Sequence, residues 1–165
     1  MTVADYLALL EQCFIVKVCP SFARKLPNER RKGKKIYFFD NGVRNALLNR
    51  FEPLSAREDR AALWENFFYM ERVKRHSLLR DDCRIHFWRT TGKKPRSLDF
   101  VEVEENAMRA FECRLTPKAR AEVDTVFQEA YPECPVHIVT PAASLKKWAE
   151  AEPQTRPSNN ANDPL

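Results

Sequence analysis

The sequence predicts an α/β fold, in which a mixed sheet is flanked by helices. A long helix-forming segment, at about 56–78, precedes three short segments between 84 and 115 that are rich in β-branched and aromatic residues. Another helical segment and a last strand candidate, at 135–139, follow them. Because helices and strands alternate in this way, we expect both kinds of element to pack in layers of one domain.

The first forty residues predict a helix followed by two strands. Residues 3–12 carry apolar side chains at helical spacing, whereas 14–18 and 36–39 are rich in β-formers. The basic segment 23–35 between the strands contains seven Lys or Arg residues with a proline and a glycine, which favour a hairpin tip. This helix–hairpin order resembles the last part of a winged-helix module.

Two further helices are predicted before residue 80. Residues 40–41 can cap a helix over 43–51. Ser55 and Glu58 have the spacing of a capping box, which predicts that the long helix 56–78 begins there. The remaining elements are strands at 84–89, 98–103, 110–115 and 135–139, and helices at 117–130 and 144–149. Because Pro, Asn, Gln and Ser dominate the end of the chain, we expect a disordered tail at 151–165.

The composition narrows the classes of function. A net charge of +5 permits an anionic partner such as nucleic acid. With only three glycines and no Gly-rich phosphate loop, the chain is not expected to bind a nucleotide. Its five cysteines form no CxxC pair, which favours reduced thiols and a cytoplasmic protein. No segment is apolar over the length that a bilayer requires, so no membrane partner is expected.

Three acidic residues stand inside apolar runs and are the best lead to function. Glu65 lies in the long predicted helix, Asp99 in the strand 98–103, and Glu112 in the following strand. A carboxylate there is costly to bury without a cation, a hydrogen bond or a metal ion as partner. Alternation places Glu112 and Arg114 on one face of their strand. If Asp99 faces the same side, the three carboxylates can converge on Mg²⁺ or Mn²⁺, which prefer oxygen ligands.

These residues resemble the pattern of PD-(D/E)XK nucleases, which have a helical Glu, an Asp on the second strand and E-x-K on the third. The chain also resembles, over about residues 2–140, the C-terminal domain of a large prokaryotic family of AAA-type ATPases. Five segments carry this resemblance in order: 35–42, 63–67, 87–90, 98–101 and 110–114. It implies a winged-helix remnant at 1–39, a restriction-endonuclease-like domain at 40–150, and an ATPase domain upstream.

The resemblance also implies site residues. Glu65, Asp99 and Glu112 take the places of the metal ligands, and Arg114 takes that of the catalytic lysine, where it can hold a phosphate or the attacking hydroxide. Two residues depart from these patterns. Ser97 stands where the ATPase-associated family usually has Glu, and Arg114 stands where the nucleases have Lys. Arginine is a poor proton acceptor. The departures favour an accessory domain with a degenerate acidic site that binds nucleic acid or a protein partner.

Other interpretations stay open. Glu65 can instead pair with Arg72 or Lys74, and the basic segment can be a solvated tip. The chain can also be an active Mg²⁺- or Mn²⁺-dependent phosphodiesterase, or a dimerisation domain, which its aromatic content suggests. Because no aromatic residue lies in the charged run, stacking on single strands is not indicated. The expected nucleic-acid contacts are Arg24, Lys25, Arg30, Arg31, Lys32, Lys34 and Lys35.

Overall fold

The computed structural model describes residues 2–116 and 125–143. In chain order its elements are α1 Val3–Gln12, β1 Val16–Phe22, β2 Lys34–Phe38, α2 Asn41–Leu48, a short 3₁₀ helix Leu54–Ala56, α3 Arg60–Leu79, β3 Arg84–Arg89, β4 Ser97–Val103, β5 Met108–Cys113, α4 Thr125–Ala130 and β6 Val136–Val139. The strands form one mixed sheet in the order β2-β1-β3-β4-β5-β6. The β1–β3 and β5–β6 pairs are parallel and the others are antiparallel. The predicted α/β fold is therefore confirmed.

Both faces of the sheet are covered by apolar side chains. On one side, called the α3 face, Trp64 of α3 packs in a core with Phe100 and Phe111 of the sheet. On the other side, called the α4 face, Phe127 of α4 packs in a second core with Trp88. Because successive side chains of a regular strand point to opposite faces, the core that a strand residue joins identifies its face.

The first 39 residues share the sheet with the rest of the chain. β1 pairs in parallel with β3, and both Cys19 of β1 and Tyr37 of β2 belong to the core of the α3 face. The N-terminal helix–hairpin thus supplies two strands of a common sheet instead of packing as a separate unit. Its origin as a winged-helix remnant stays a prediction.

One predicted helix start is wrong. The capping box at Ser55 and Glu58 does not form, and α3 begins only after Asp59. The carboxylate of Asp59 accepts hydrogen bonds from the guanidinium groups of Arg44 and Arg57, at 2.7 to 2.9 Å. Charge-assisted bonds of this kind are stronger than a neutral cap, so the segment folds around Asp59.

Some predictions fall outside the described residues: part of the helix 117–130, the helix 144–149 and the tail 151–165. The five cysteines are described and all are free thiols, as predicted. No helix within the described ranges has both the length and the apolar character needed to cross a bilayer.

Candidate functional site

An irregularity in β4 sets the direction of Asp99. The pairing of β3 with β4 shifts register between His86 and Trp88. Two residues of β4, Asp99 and Phe100, therefore lie opposite Phe87 alone. A β-bulge of this kind bends the strand and redirects the side chains that it contains. The Asp99 carboxylate reaches the α3 face as a result, next to β2 and α3.

Lys35 of β2 connects two of the predicted metal ligands. Its Nζ lies 2.9 Å from Oε1 of Glu65 and 3.7 Å from Oδ1 of Asp99. The ammonium also lies 5.6 Å and 6.0 Å from the ring centroids of Phe87 and Phe100, within cation–π range. The three charged side chains are 23 to 32% exposed, so water screens their attraction only in part. We call Lys35, Glu65 and Asp99 the Lys35 cluster.

Both carboxylates of the Lys35 cluster accept further hydrogen bonds. Oε1 of Glu65 accepts from the hydroxyl of Tyr37 at 2.6 Å, and Oδ2 of Asp99 accepts from the backbone N–H of Cys113 at 2.8 Å. Burial raises the pKa of Asp99 to about 6, and repulsion from Glu65 adds to this rise. The single cation Lys35 therefore leaves one negative charge of the cluster uncompensated when both carboxylates are ionised.

Glu112 does not join the Lys35 cluster. Phe111 belongs to the core of the α3 face and Ala110 to the core of the α4 face, so alternation along β5 turns Glu112 toward the α4 face. Its Oε1 accepts a hydrogen bond from Nε of Arg114 at 3.0 Å and forms an ion pair with Nη2 of the same residue at 2.9 Å. The structure thus brings two of the three predicted ligands together and pairs the third with the predicted catalytic arginine.

This arrangement does not fit a divalent metal ion. Mg²⁺ needs several oxygen ligands around one point at about 2.1 Å, whereas here an ammonium lies between two carboxylates. Within 2–116 and 125–143, the only His, Cys or acidic trio with donor atoms all within 4.8 Å of one another is His76, Cys83 and Glu102. There Nε and Nη2 of Arg72 bind both oxygens of Glu102 at 2.5 and 2.7 Å, so a cation already neutralises that carboxylate.

The basic tip between β1 and β2 lies beside a second basic loop, between β3 and β4. Backbone hydrogen bonds of 2.8 and 2.7 Å join the loops, the first from the N–H of Arg30 to the carbonyl of Arg89. Residues 24–34 contain six Lys or Arg residues and 89–96 contain four. These ten exposed residues are called the basic surface: Arg24, Lys25, Arg30, Arg31, Lys32, Lys34, Arg89, Lys93, Lys94 and Arg96.

A buried carboxylate, Glu29, anchors the basic surface to the core. It accepts hydrogen bonds from the backbone N–H groups of Arg24 and Lys25, at 2.7 and 3.1 Å. It also accepts from the side chains of Trp88 and Tyr131, at 2.8 and 2.5 Å. Although burial opposes its ionisation, these donors hold the pKa of Glu29 below its usual value. The shape of the tip is therefore fixed from inside while its cations stay exposed.

Six of the seven predicted nucleic-acid contacts belong to the basic surface. The seventh, Lys35, instead places its ammonium in the Lys35 cluster. The loop 89–96 was not predicted to be part of this surface because it is distant from the first loop along the chain. Its own composition, four cations and no acidic residue, is the signal from which an anion-binding role could have been predicted.

Two family models match the chain. A domain of unknown function (DUF8612) matches residues 1–54, and a domain of unknown function (DUF4143) matches residues 60–155. No curated protein and no solved structure matches. The second match covers more than half of the 165 residues and includes Glu65, Asp99 and Glu112. DUF4143 is common in proteins associated with AAA-type ATPases. The chain belongs to the DUF4143 family.

Proposed function

We propose that this chain is an accessory domain of an AAA-type ATPase and that it binds duplex DNA through the basic surface. The observation that carries the proposal is the anchoring of two basic loops side by side, by Glu29 and by backbone hydrogen bonds. Ten cations, with one buried acidic residue among them, attract the phosphate backbone through counterion release. A preformed loop also loses less conformational entropy on binding than a mobile one.

The basic surface is suited to phosphates more than to unpaired bases. The loops 24–34 and 89–96 contain no aromatic residue, and the aromatic residues that flank them, Phe22, Phe87 and Trp88, are buried. Stacking of unpaired bases needs exposed rings. The resemblance to PD-(D/E)XK nucleases supports the same partner, because those proteins act on DNA.

Exposed apolar side chains on α1 and near α2 support contact with another protein. Val3 and Tyr6 of α1 are 77% and 56% exposed, and Leu47 of α2 and the following Phe51 are 70% and 71% exposed. Large apolar side chains that are exposed to solvent are candidates for an interaction site. An AAA-type ATPase domain is the partner that we propose for these side chains, and a second copy of the chain is the alternative.

The DNA-binding proposal can be tested by neutralising the tip with Arg30→Gln, Arg31→Gln and Lys32→Gln together. Binding to a labelled duplex should weaken, and the slope of log K against log salt should become less steep by about 2 to 3, because each lost phosphate contact removes about 0.9. Fluorescence anisotropy at several NaCl concentrations measures both quantities.

The matched control removes the same charge from two exposed arginines of α3, Arg60 and Arg75, and from Arg80, the exposed residue that follows the helix. This control should change the affinity and the salt slope much less than the tip variant does. Equal effects of the two variants would show that only net charge matters, and the absence of salt-dependent binding would refute the proposal.

A metal-dependent phosphodiesterase is the second candidate function, because Glu65 and Asp99 do approach each other at the Lys35 cluster. It requires an arrangement different from the observed one, in which the ammonium of Lys35 has left. Nicking of supercoiled plasmid with Mn²⁺, lost in Asp99→Ala, would support this candidate, whereas DNA binding without nicking supports the accessory role.

A further inference from the structure

We infer that the ammonium of Lys35 is the resident cation of the acidic site and excludes divalent metal ions from it. The Lys35 side chain, which extends from β2, occupies the position that a metal ion would need between Glu65 and Asp99. The inference is independent of the proposed DNA binding, because Lys35 does not belong to the basic surface.

The contacts of Lys35 are those of a bound cation. Its Nζ approaches one oxygen of each carboxylate, at 2.9 Å for Glu65 and 3.7 Å for Asp99. The rings of Phe87 and Phe100 add cation–π contacts. Four groups therefore surround the ammonium. A metal ion between the same carboxylates would have to approach their oxygens much more closely than an ammonium does, and the two cations cannot be present together.

The backbone delivers Lys35 to this position. Lys35 lies within β2, and its pairing with Cys19 of β1 fixes the position of its Cα atom and the direction in which its side chain leaves the strand. A tethered cation has an effective concentration on the order of millimolar or higher, so it competes well with free metal ions. The neighbouring Lys34 is exposed, which shows that strand alternation and not the basic composition of the segment selects the lysine that enters the site.

Removal of the ammonium would leave an acidic pair without its cation. The Tyr37 hydroxyl and the Cys113 N–H would still bond to Glu65 and Asp99, but two negative charges would face each other. A cavity of about 270 Å³ borders Lys35 and Glu65, so a hydrated ion can reach them. A divalent cation can then supply the missing positive charge through oxygen ligands, which it prefers.

The test is Mn²⁺ binding by the full chain, followed through the loss of the electron paramagnetic resonance signal of free Mn²⁺. The variant Lys35→Met keeps an unbranched apolar stem and removes the charge. It should bind Mn²⁺ at least about tenfold more tightly than the wild type, because one positive charge no longer repels the ion at short range. The added mutation Asp99→Asn should abolish that gain.

The matched control is Lys17→Met, which removes a lysine of β1 that pairs with Glu11 at 3.4 Å and should leave Mn²⁺ binding unchanged. The inference is overturned if Lys35→Met binds Mn²⁺ no more tightly than the wild type. It is equally overturned if the wild type binds Mn²⁺ and loses that binding in Asp99→Asn. If Lys35→Met does not fold, Lys35→Gln replaces it. If neither variant folds, the comparison of Mn²⁺ binding by the wild type and by Asp99→Asn decides. DNA affinity, measured in parallel, reports on the proposed function separately.

Discussion

Replacing Asp99 by Asn should stabilise the folded chain at neutral pH. Burial raises the pKa of Asp99 to about 6 in the folded chain, with repulsion from Glu65 adding to the rise, against an ordinary value of 3.8. Because its folded pKa is the higher one, the folded chain binds more protons than the unfolded chain between these values. The contribution of Asp99 to stability is therefore present at low pH and declines as the pH rises through this interval.

The expected size follows from the two pKa values. A difference of about two pH units corresponds to about 3 kcal/mol, of which about 2 kcal/mol is lost between pH 4.5 and pH 7.5. Asparagine keeps an oxygen that can accept the N–H of Cys113. It loses the ion pair with Lys35, which is long at 3.7 Å, partly exposed and therefore weak. We expect Asp99→Asn to be more stable than the wild type by about 1 to 3 kcal/mol at pH 7.5.

Urea unfolding at pH 4.5 and pH 7.5 measures this difference. Glu102→Gln, on the same strand, is the control of opposite sign. Although burial opposes ionisation of Glu102, hydrogen bonds from Arg72 lower its pKa, so its contribution is present above its ordinary value of 4.5 and is lost only at lower pH. The control should destabilise the chain at both pH values. If the advantage of Asp99→Asn does not grow between pH 4.5 and pH 7.5, the electrostatic reasoning is refuted.

Three further predictions concern the anchored loops and the buried charges. Glu29→Gln should destabilise the chain by about 1.5 to 3 kcal/mol in urea unfolding, because charge-assisted bonds are lost. It should also weaken duplex binding although no cation is changed. Unaltered binding would contradict the anchoring role. Neutralising Lys93 and Lys94 with Gln should lower the salt slope of DNA binding by about 2 in anisotropy titrations, and an unchanged slope would remove the second loop from the basic surface. Arg72→Met should cost about 3 to 5 kcal/mol in urea unfolding, because Glu102 is left buried without its main partner; a cost below about 1 kcal/mol would contradict this.

Elements with strong periodicity were predictable from the sequence. Residues Val3–Gln12 form α1 with the predicted bounds, and β3 occupies 84–89 as expected. The alternation that places Glu112 with Ala110, opposite Phe111, is also confirmed by the two cores. These features depend on neighbours within a few residues, and such local patterns are visible in the sequence.

The geometry of the site was less predictable because it depends on distant pairings. The direction of Asp99 follows from a bulge that only the register of β3 against β4 defines. Lys35 enters the site through contacts with Glu65, thirty positions along the chain, and its place in a basic run suggested a solvated side chain. In the sequence, Glu29 is a single acidic residue within the same basic run and shows no sign of being buried. In the structure, Trp88 and Tyr131 donate hydrogen bonds to it, and it anchors the loop from the interior.

The hydrogen bond from Tyr131 to Glu29 joins residues that are 102 positions apart. A contact of such high sequence separation forms late, because a large loop must close before it is gained. During synthesis, the tip between β1 and β2 therefore waits for the segment after α4 to emerge before it acquires its final shape. A chain truncated before Tyr131 would keep the bond from Trp88 to Glu29 and the backbone bonds between the loops, but it would lose one of the two side-chain donors to Glu29. We expect its tip to be less ordered, so that more conformational entropy is lost when it binds DNA.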